Sequence, residues 1–160
     1  MEQPGQGGFV VEWREGFRTG IAHLDDEHRG LFALVKRLAP DNVKVVMGDL
    51  VEYVVTHFTN EQALMQGCGY PGFQEHVELH EELAGQVSGF LVAGTSWSEE
   101  RVQALRSFLN RWLVRHILTH DLAFGRWYHA RAHAHAPATR PAPVDEDPPP
   151  SLFGRLFGQG

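Results

Sequence analysis

A single cysteine, Cys68, stands in a chain of 160 residues, which leaves no disulfide framework and no thiolate metal cluster. No run of about 18 apolar residues occurs, the length that a membrane-crossing helix needs. The segment from Met1 to Gly8 is polar and glycine-rich, without the cationic and apolar stretches of a secretory leader. A cytoplasmic protein without a transmembrane segment is expected. The formal charge is -6 with acids and bases interleaved, so no basic stripe is on offer to a phosphate backbone and no nucleic acid partner is expected. No strand-forming run is found either.

What the chain does have is a 42% hydrophobic content, enough at this length for one sizeable core rather than two. Between Ile21 and Tyr128 the apolar residues recur at three- and four-residue intervals, the period of helices. Breakers cut this stretch into four. The first helix is expected from Ile21 to Leu38, stopped by Pro40, and the second from Asn42 to Gln66, capped by Asp41. Gly67-Cys68-Gly69-Tyr70-Pro71-Gly72 ends the second, and the third runs from Phe73 to Val92. Ser98 followed by Glu99 and Glu100 reads as the N-cap of a fourth that reaches Ala130. Short connections make sequential helices antiparallel neighbours, so the fold class is all-α, an up-down-up-down four-helix bundle over residues 21–130.

Both ends differ from the bundle. In residues 1–20, Phe9, Trp13 and Phe17 recur every four residues, which suits an N-terminal arm laid across the bundle or a short extra helix. Residues 131–150 contain six of the nine prolines, all from Pro137 onward, a composition that reads as a disordered linker. Beyond it, Leu152, Phe153, Leu156 and Phe157 form two apolar pairs four residues apart within residues 151–160. A tether ending in an apolar peptide is expected to dock, on a partner protein or in a groove.

Ten histidines are the compositional oddity. His57 and Glu61 are four apart on the second expected helix, as are His76 and His80 on the third, so each pair leaves one face of its helix. His28 and His116 lie inside the first and fourth. One such histidine is most often at the surface or satisfied in the core; a set drawn from all four helices is the pattern of a metal site inside a bundle. Nitrogen-rich coordination without thiolate suits iron, zinc or copper rather than magnesium or calcium. No Glu-x-x-His occurs, which ferritin-like carboxylate centres require. In His76-Val77-Glu78-Leu79-His80 the glutamate does not directly follow the first histidine, unlike a zinc protease helix.

Taken together, Trp13, Gly20-Ile21-Ala22-His23-Leu24-Asp25-Asp26-Glu27-His28, His57-Phe58-x-x-Glu61, Met65, Tyr70-Pro71, His76-x-x-x-His80 and Trp112-Leu113-x-x-His116-Ile117-x-x-x-Asp121 resemble the bacterial hemerythrins over residues 13–121. The resemblance implies two non-haem iron ions joined by an oxo or hydroxo bridge. His76, His80 and His116 would ligate one and His28 and His57 the other, with Glu61 and Asp121 bridging. The second iron then has a vacant position for O2, with Trp112, Leu113 and Ile117 as the apolar lining. Asp121 is awkward on spacing alone: five residues from His116 is a rotation of about 140° on a regular helix. His120 would stay in line, but the family pattern favours Asp121 and leaves His120 exposed. His23, His129, His133 and His135 match no ligand position, and the last three fall where the fourth helix is expected to fray.

Reversible O2 binding by a carrier, store or scavenger, with no chemical turnover, is the function so implied. Two alternatives stand beside it. One is a sensor or delivery protein that docks a partner through its apolar peptide, which resembles the cargo-loading peptides of encapsulin shells. The other is a di-iron peroxidase, oxidase or nitric-oxide-handling enzyme, for which Tyr53 and Cys68 are the redox-capable neighbours.

Overall fold

A computed structural model describes residues 11–92 and 96–134. It is an all-helical bundle of α1 (Ala22–Arg37), α2 (Val43–Cys68), α3 (Phe73–Val92) and α4 (Glu99–His116), the last running through a π-helical turn (Ile117–Asp121) into α5 (Leu122–Ala134). Among the described residues there is no strand. The docking residues Leu152, Phe153, Leu156 and Phe157, most of the proline-rich segment, Phe9 and His135 lie outside the described residues. The final helix runs on to Ala134 rather than stopping at Ala130.

The helix boundaries have local causes. Leu38 leaves helical geometry with ψ 125, two residues before Pro40, as expected where a proline approaches. The residue at the head of α2 is Asn42, not Asp41. The Asn42 side chain turns backward: its Oδ1 accepts from the Ala39 N–H at 2.9 Å and its Nδ2 donates to the Arg37 carbonyl at 2.8 Å. It ties the loop to the end of α1 and leaves Asp41 no capping role. α2 ends at Gly69 in the left-handed region, φ 70, and the N–H groups of Gly69 and Tyr70 close on the carbonyls of Gln66 and Met65, which satisfies carbonyls that a helix end leaves open. Ser98 caps α4 as its sequence position predicts, its hydroxyl accepting from the Arg101 N–H at 3.2 Å.

The described part of the arm, residues 11–21, contains one 3-10 turn, Glu15–Phe17. Phe17 stacks on Phe32 of α1 with centroids 5.4 Å apart, and Arg29 sits 4.0 Å over the Trp13 ring. The arm is clamped at Thr19. Asp25 accepts from the Thr19 N–H and hydroxyl, both at 2.8 Å, and from the Gly20 N–H at 3.2 Å, which is why its charge can be buried. On the other side His129 donates to the Thr19 carbonyl at 3.1 Å. His129 is therefore a packed structural residue and not part of a fraying end. At Gly125 a Cβ would meet the Thr19 carbonyl at 2.6 Å; only glycine lets α5 and the arm come this close.

Two apolar clusters fill the interior. The larger joins Leu31, Phe32, Val35, Leu50, Leu105, Leu109, Leu113 and Ile117 among others. The smaller is built from Ile21, Leu24, Met65 and Phe124. A layer of buried histidines and carboxylates separates them.

Candidate metal centre

α1 contributes His28 to this layer, α2 contributes His57 and Glu61, α3 contributes His76 and His80, α4 contributes His116, and the π turn contributes Asp121. All seven side chains belong to residues with 5% exposure or less. Two groups form, Glu61 with His76, His80 and His116, and Glu61 with His28 and His57, each with its donor atoms within 4.8 Å of one another.

In the first group three imidazole nitrogens converge. His116 Nε2 is 3.1 Å from His76 Nε2 and 3.3 Å from His80 Nε2. Glu61 Oε2 lies 3.0 Å from His76 Nε2 and 3.2 Å from His80 Nε2, and Asp121 Oδ1 is 3.1 Å from both His76 and His116. The second group shares the same carboxylates: Asp121 turns its other oxygen, Oδ2, to His28 Nε2 at 3.1 Å, while Glu61 presents the same Oε2, 3.9 Å from His57 Nε2.

The π turn makes Asp121 part of this layer. The Leu122 N–H bonds to the Ile117 carbonyl five residues back, and the extra residue in the turn brings position 121 round to the side of His116, where a regular α-helix would have carried it away. His120 is displaced but not expelled. It is half-buried rather than exposed, its ring 5.4 Å from His116 and 6.3 Å from His76. Burial, then the neighbouring His116 and His76, lower its pKa.

The donor set fits metal ions. His28 Nε2, Glu61 Oε1 and both Asp121 oxygens are buried without a hydrogen-bond partner, a costly state that an ion would relieve. The spacing also fits: cis ligands of a six-coordinate ion with bonds of about 2.1 Å lie roughly 3 Å apart. Burial pushes the His76 imidazole down, but Asp121 and Glu61 outweigh it and raise the pKa to about 9. Burial lowers His80 to about 4, helped by His76 and His116 against the pull of Glu61. Burial and Asp121 push Glu61 up, yet His76, His80 and His57 hold it at about 2.

Residues 19–128 match the family described as the Hemerythrin HHE cation binding domain. The chain belongs to the hemerythrin family. Hemerythrin subunit 1 of Golfingia vulgaris is 34% identical over 112 residues, 70% of this chain and 88% of that protein. A bacteriohemerythrin of Stenotrophomonas maltophilia (strain R551-3) is 30% identical over 125 residues, 72% and 79% of the two chains. A crystal structure of wild-type hemerythrin superposes with a TM-score of 0.65 at 28% identity, covering 74% of this chain and 97% of that one.

In this hemerythrin the histidines are held from behind by residues with no role assigned from the sequence. Glu27 Oε2 is 2.5 Å from His57 Nδ1, and Glu27 Oε1 accepts from Asn60 at 2.8 Å. The Gln62 amide nitrogen lies 2.9 Å from His80 Nδ1. An acceptor on Nδ1–H, as Glu27 is for His57, orients a ligand imidazole and raises its basicity; Gln62 does the same for His80 once its amide is turned so that Oε1 faces Nδ1. The available signal was adjacency: Glu27 precedes His28 and Gln62 follows Glu61, so each points about 100° away from its neighbour, toward the next helix. Aromatic rings brace the same imidazoles. Phe58 stacks on His80 at 3.5 Å and 3°, and Trp112 on His116 at 4.4 Å and 11°.

A cavity of about 230 Å³ reaches the layer from the far end of the bundle and touches His28, His57, His116 and Asp121. Trp112 and Leu113 are among the residues that line it, together with Phe58, Leu83, Val87 and Leu109. Ile117 does not line this cavity; it is fully buried in the larger apolar cluster. Among the other described histidines, His23 and His133 are exposed.

Proposed function

We propose that this hemerythrin binds O2 reversibly at a non-haem di-iron centre, as an oxygen carrier, store or scavenger. Hemerythrins are oxygen-binding proteins that hold such a centre, and are not enzymes. In this assignment His76, His80 and His116 hold one iron, His28 and His57 the other, and Glu61 and Asp121 bridge. The observation that carries it is the sharing of both carboxylates between the two groups, with Asp121 offering Oδ1 to His76 and His116 and Oδ2 to His28.

When bound, the iron pair supplies the electrons that oxygen binding draws on. The chain's own contribution is coordination and shelter. Three imidazoles against two would leave the ion held by His28 and His57 one ligand short, and both of these histidines line the apolar cavity. Trp112, Leu113, Phe58 and Leu109 exclude water there, which makes separated charge expensive and favours a process that is fully reversed. Apart from the proposed ligands, no side chain lining the cavity is a general acid or base. Tyr53 packs against Gly30 and faces a separate cleft, and the Cys68 thiol is engaged with the Met65 carbonyl at 3.4 Å, which weakens the enzyme reading.

A cytoplasmic location accords with the lone free cysteine; no described helix is long and apolar enough to cross a membrane. Docking on a partner or an encapsulin-like shell through Leu152, Phe153, Leu156 and Phe157 has support from the sequence pattern alone, and we rank it behind the carrier reading. The deciding experiment is anaerobic reduction followed by cycles of O2 admission and removal, with visible absorption and iron content recorded. About two irons per chain, the stoichiometry of a paired-metal site, and an absorption change that each cycle reverses are expected. One-way conversion on first contact with O2 would refute the carrier reading.

A further inference from the structure

The last fully buried side chain of α3 is Leu83, with Val87 and Phe90 half-buried against the core beyond it. Ala84 and Ser88 put small side chains on the cavity side of this stretch, and at Gly85 and Gly89 an added Cβ would meet nothing within 4 Å. Across from them α2 presents Val51, Val54 and Val55. Between the two helices lies the outer part of the apolar cavity, lined by Val51, Val54, Val55, Ala84, Val87 and Leu91. Val51 is 42% exposed, Val55 59% and Leu91 46%, with Val92 at 80% beside them. Among the described residues nothing covers these side chains. Contiguous exposed apolar surface of this kind marks an interaction site.

The chain carries a segment of matching chemistry. Leu152, Phe153, Leu156 and Phe157 put four large apolar side chains into six positions, with Arg155 as the only charge from Ser151 to Gly160. The tether is long enough. From Ala134, where α5 ends, back to the level of Leu109 beside the cavity is about 38 Å of helix, while residues 135–150 reach about 50 Å when extended. A tethered segment needs little affinity, because its effective concentration is set by the linker.

We infer that residues 151–160 fold back and dock in the apolar groove between α2 and α3, setting Leu152, Phe153, Leu156 and Phe157 against Val51, Val55 and Leu91. This rests on the groove and the chain length, and holds whether or not the centre carries oxygen.

The test uses the iron-loaded full chain with Cys68→Ser, so that introduced cysteines are the only thiols. Val55→Cys is paired with Leu156→Cys, and Ala33→Cys, on the exposed side of α1, with the same Leu156→Cys as the control. Under mild oxidation the Val55 pair is expected to form an intramolecular disulfide at least tenfold faster than the Ala33 pair, read as cross-linked monomer by mass. Replacing Leu152, Phe153 and Phe157 with serine should erase the difference. In parallel, deleting residues 151–160 should raise binding of an apolar fluorescent dye severalfold. Equal disulfide rates, or dye binding unchanged by the deletion, would mean a free tail and overturn the inference. Cross-linked dimers in place of monomers would assign the groove to a second copy and overturn it equally.

Discussion

The two halves of α3 obey different constraints. From Phe73 to His80 the helix is held by its ligands, with His76 and His80 buried at 2% exposure among Glu61, Asp121 and Gln62. From Leu83 to Val92 one residue, Leu83, is buried, and small side chains leave the facing valines of α2 open. α1 is packed along its length, from Leu24 through Leu31 and Phe32 to Val35. The contrast implies that α3 joins the bundle chiefly through chemistry at the metal layer, whereas α1 joins through apolar burial. Metal binding is then in part the folding energy of α3.

Metal removal should have the largest effect. A site saturated a thousandfold above its Kd stabilises by about 4 kcal/mol, so chelation should lower Tm by roughly 10 °C or more in a domain of this size. Hydrogen exchange should show α3 opening first and α1 last; uniform loosening would break the contrast. Next come the shared carboxylates. Glu61→Ala and Asp121→Ala each remove a group common to both sets, and iron content should drop to one ion per chain or fewer, measured after gel filtration. Retention of both ions in either variant would remove that residue from the bridge.

Smaller effects should follow from the residues behind the ligands. Glu27→Gln leaves the shape but removes the carboxylate from His57 Nδ1, and should weaken metal retention about 10- to 100-fold, read as the rate of iron loss to a chelator. Gln62→Leu should act similarly through His80. The smallest effect sharpens the contrast from the other side: Gly85→Ala and Gly89→Ala have open space and unexceptional φ, so each should stabilise by about 0.5–1 kcal/mol in denaturant unfolding without changing iron content.

Much of this was legible in the chain. Apolar periodicity and the breakers at Pro40, Gly69 and Pro71 marked the helices, and four-residue spacings put His57 with Glu61 and His76 with His80. What was not legible depends on backbone register and on contacts between elements. Spacing argues against Asp121 because a π turn is a property of the backbone that no side-chain pattern announces. Asn42 takes the head of α2 because its amide can bond back to Ala39 and Arg37, a choice between neighbours that composition does not make. His129 looked like part of a frayed end because the arm that it clamps is remote in sequence, and Ile117 was placed at the cavity by its nearness to His116 although its helix turns it into the core. Nothing in the sequence singled out Ala84 and Ser88, whose small size matters only once Val51 and Val55 stand opposite.

The central claim is that Glu61 and Asp121 join a group of three histidines and a group of two into one paired-metal site. Anomalous scattering at the iron edge from crystals of the iron-loaded protein tests it directly. Two peaks about 3.5 Å apart, the separation of paired metals that share ligands, one beside His76, His80 and His116 and the other beside His28 and His57, are predicted. A single peak, or a second ion held by His120 in place of Asp121, would contradict it.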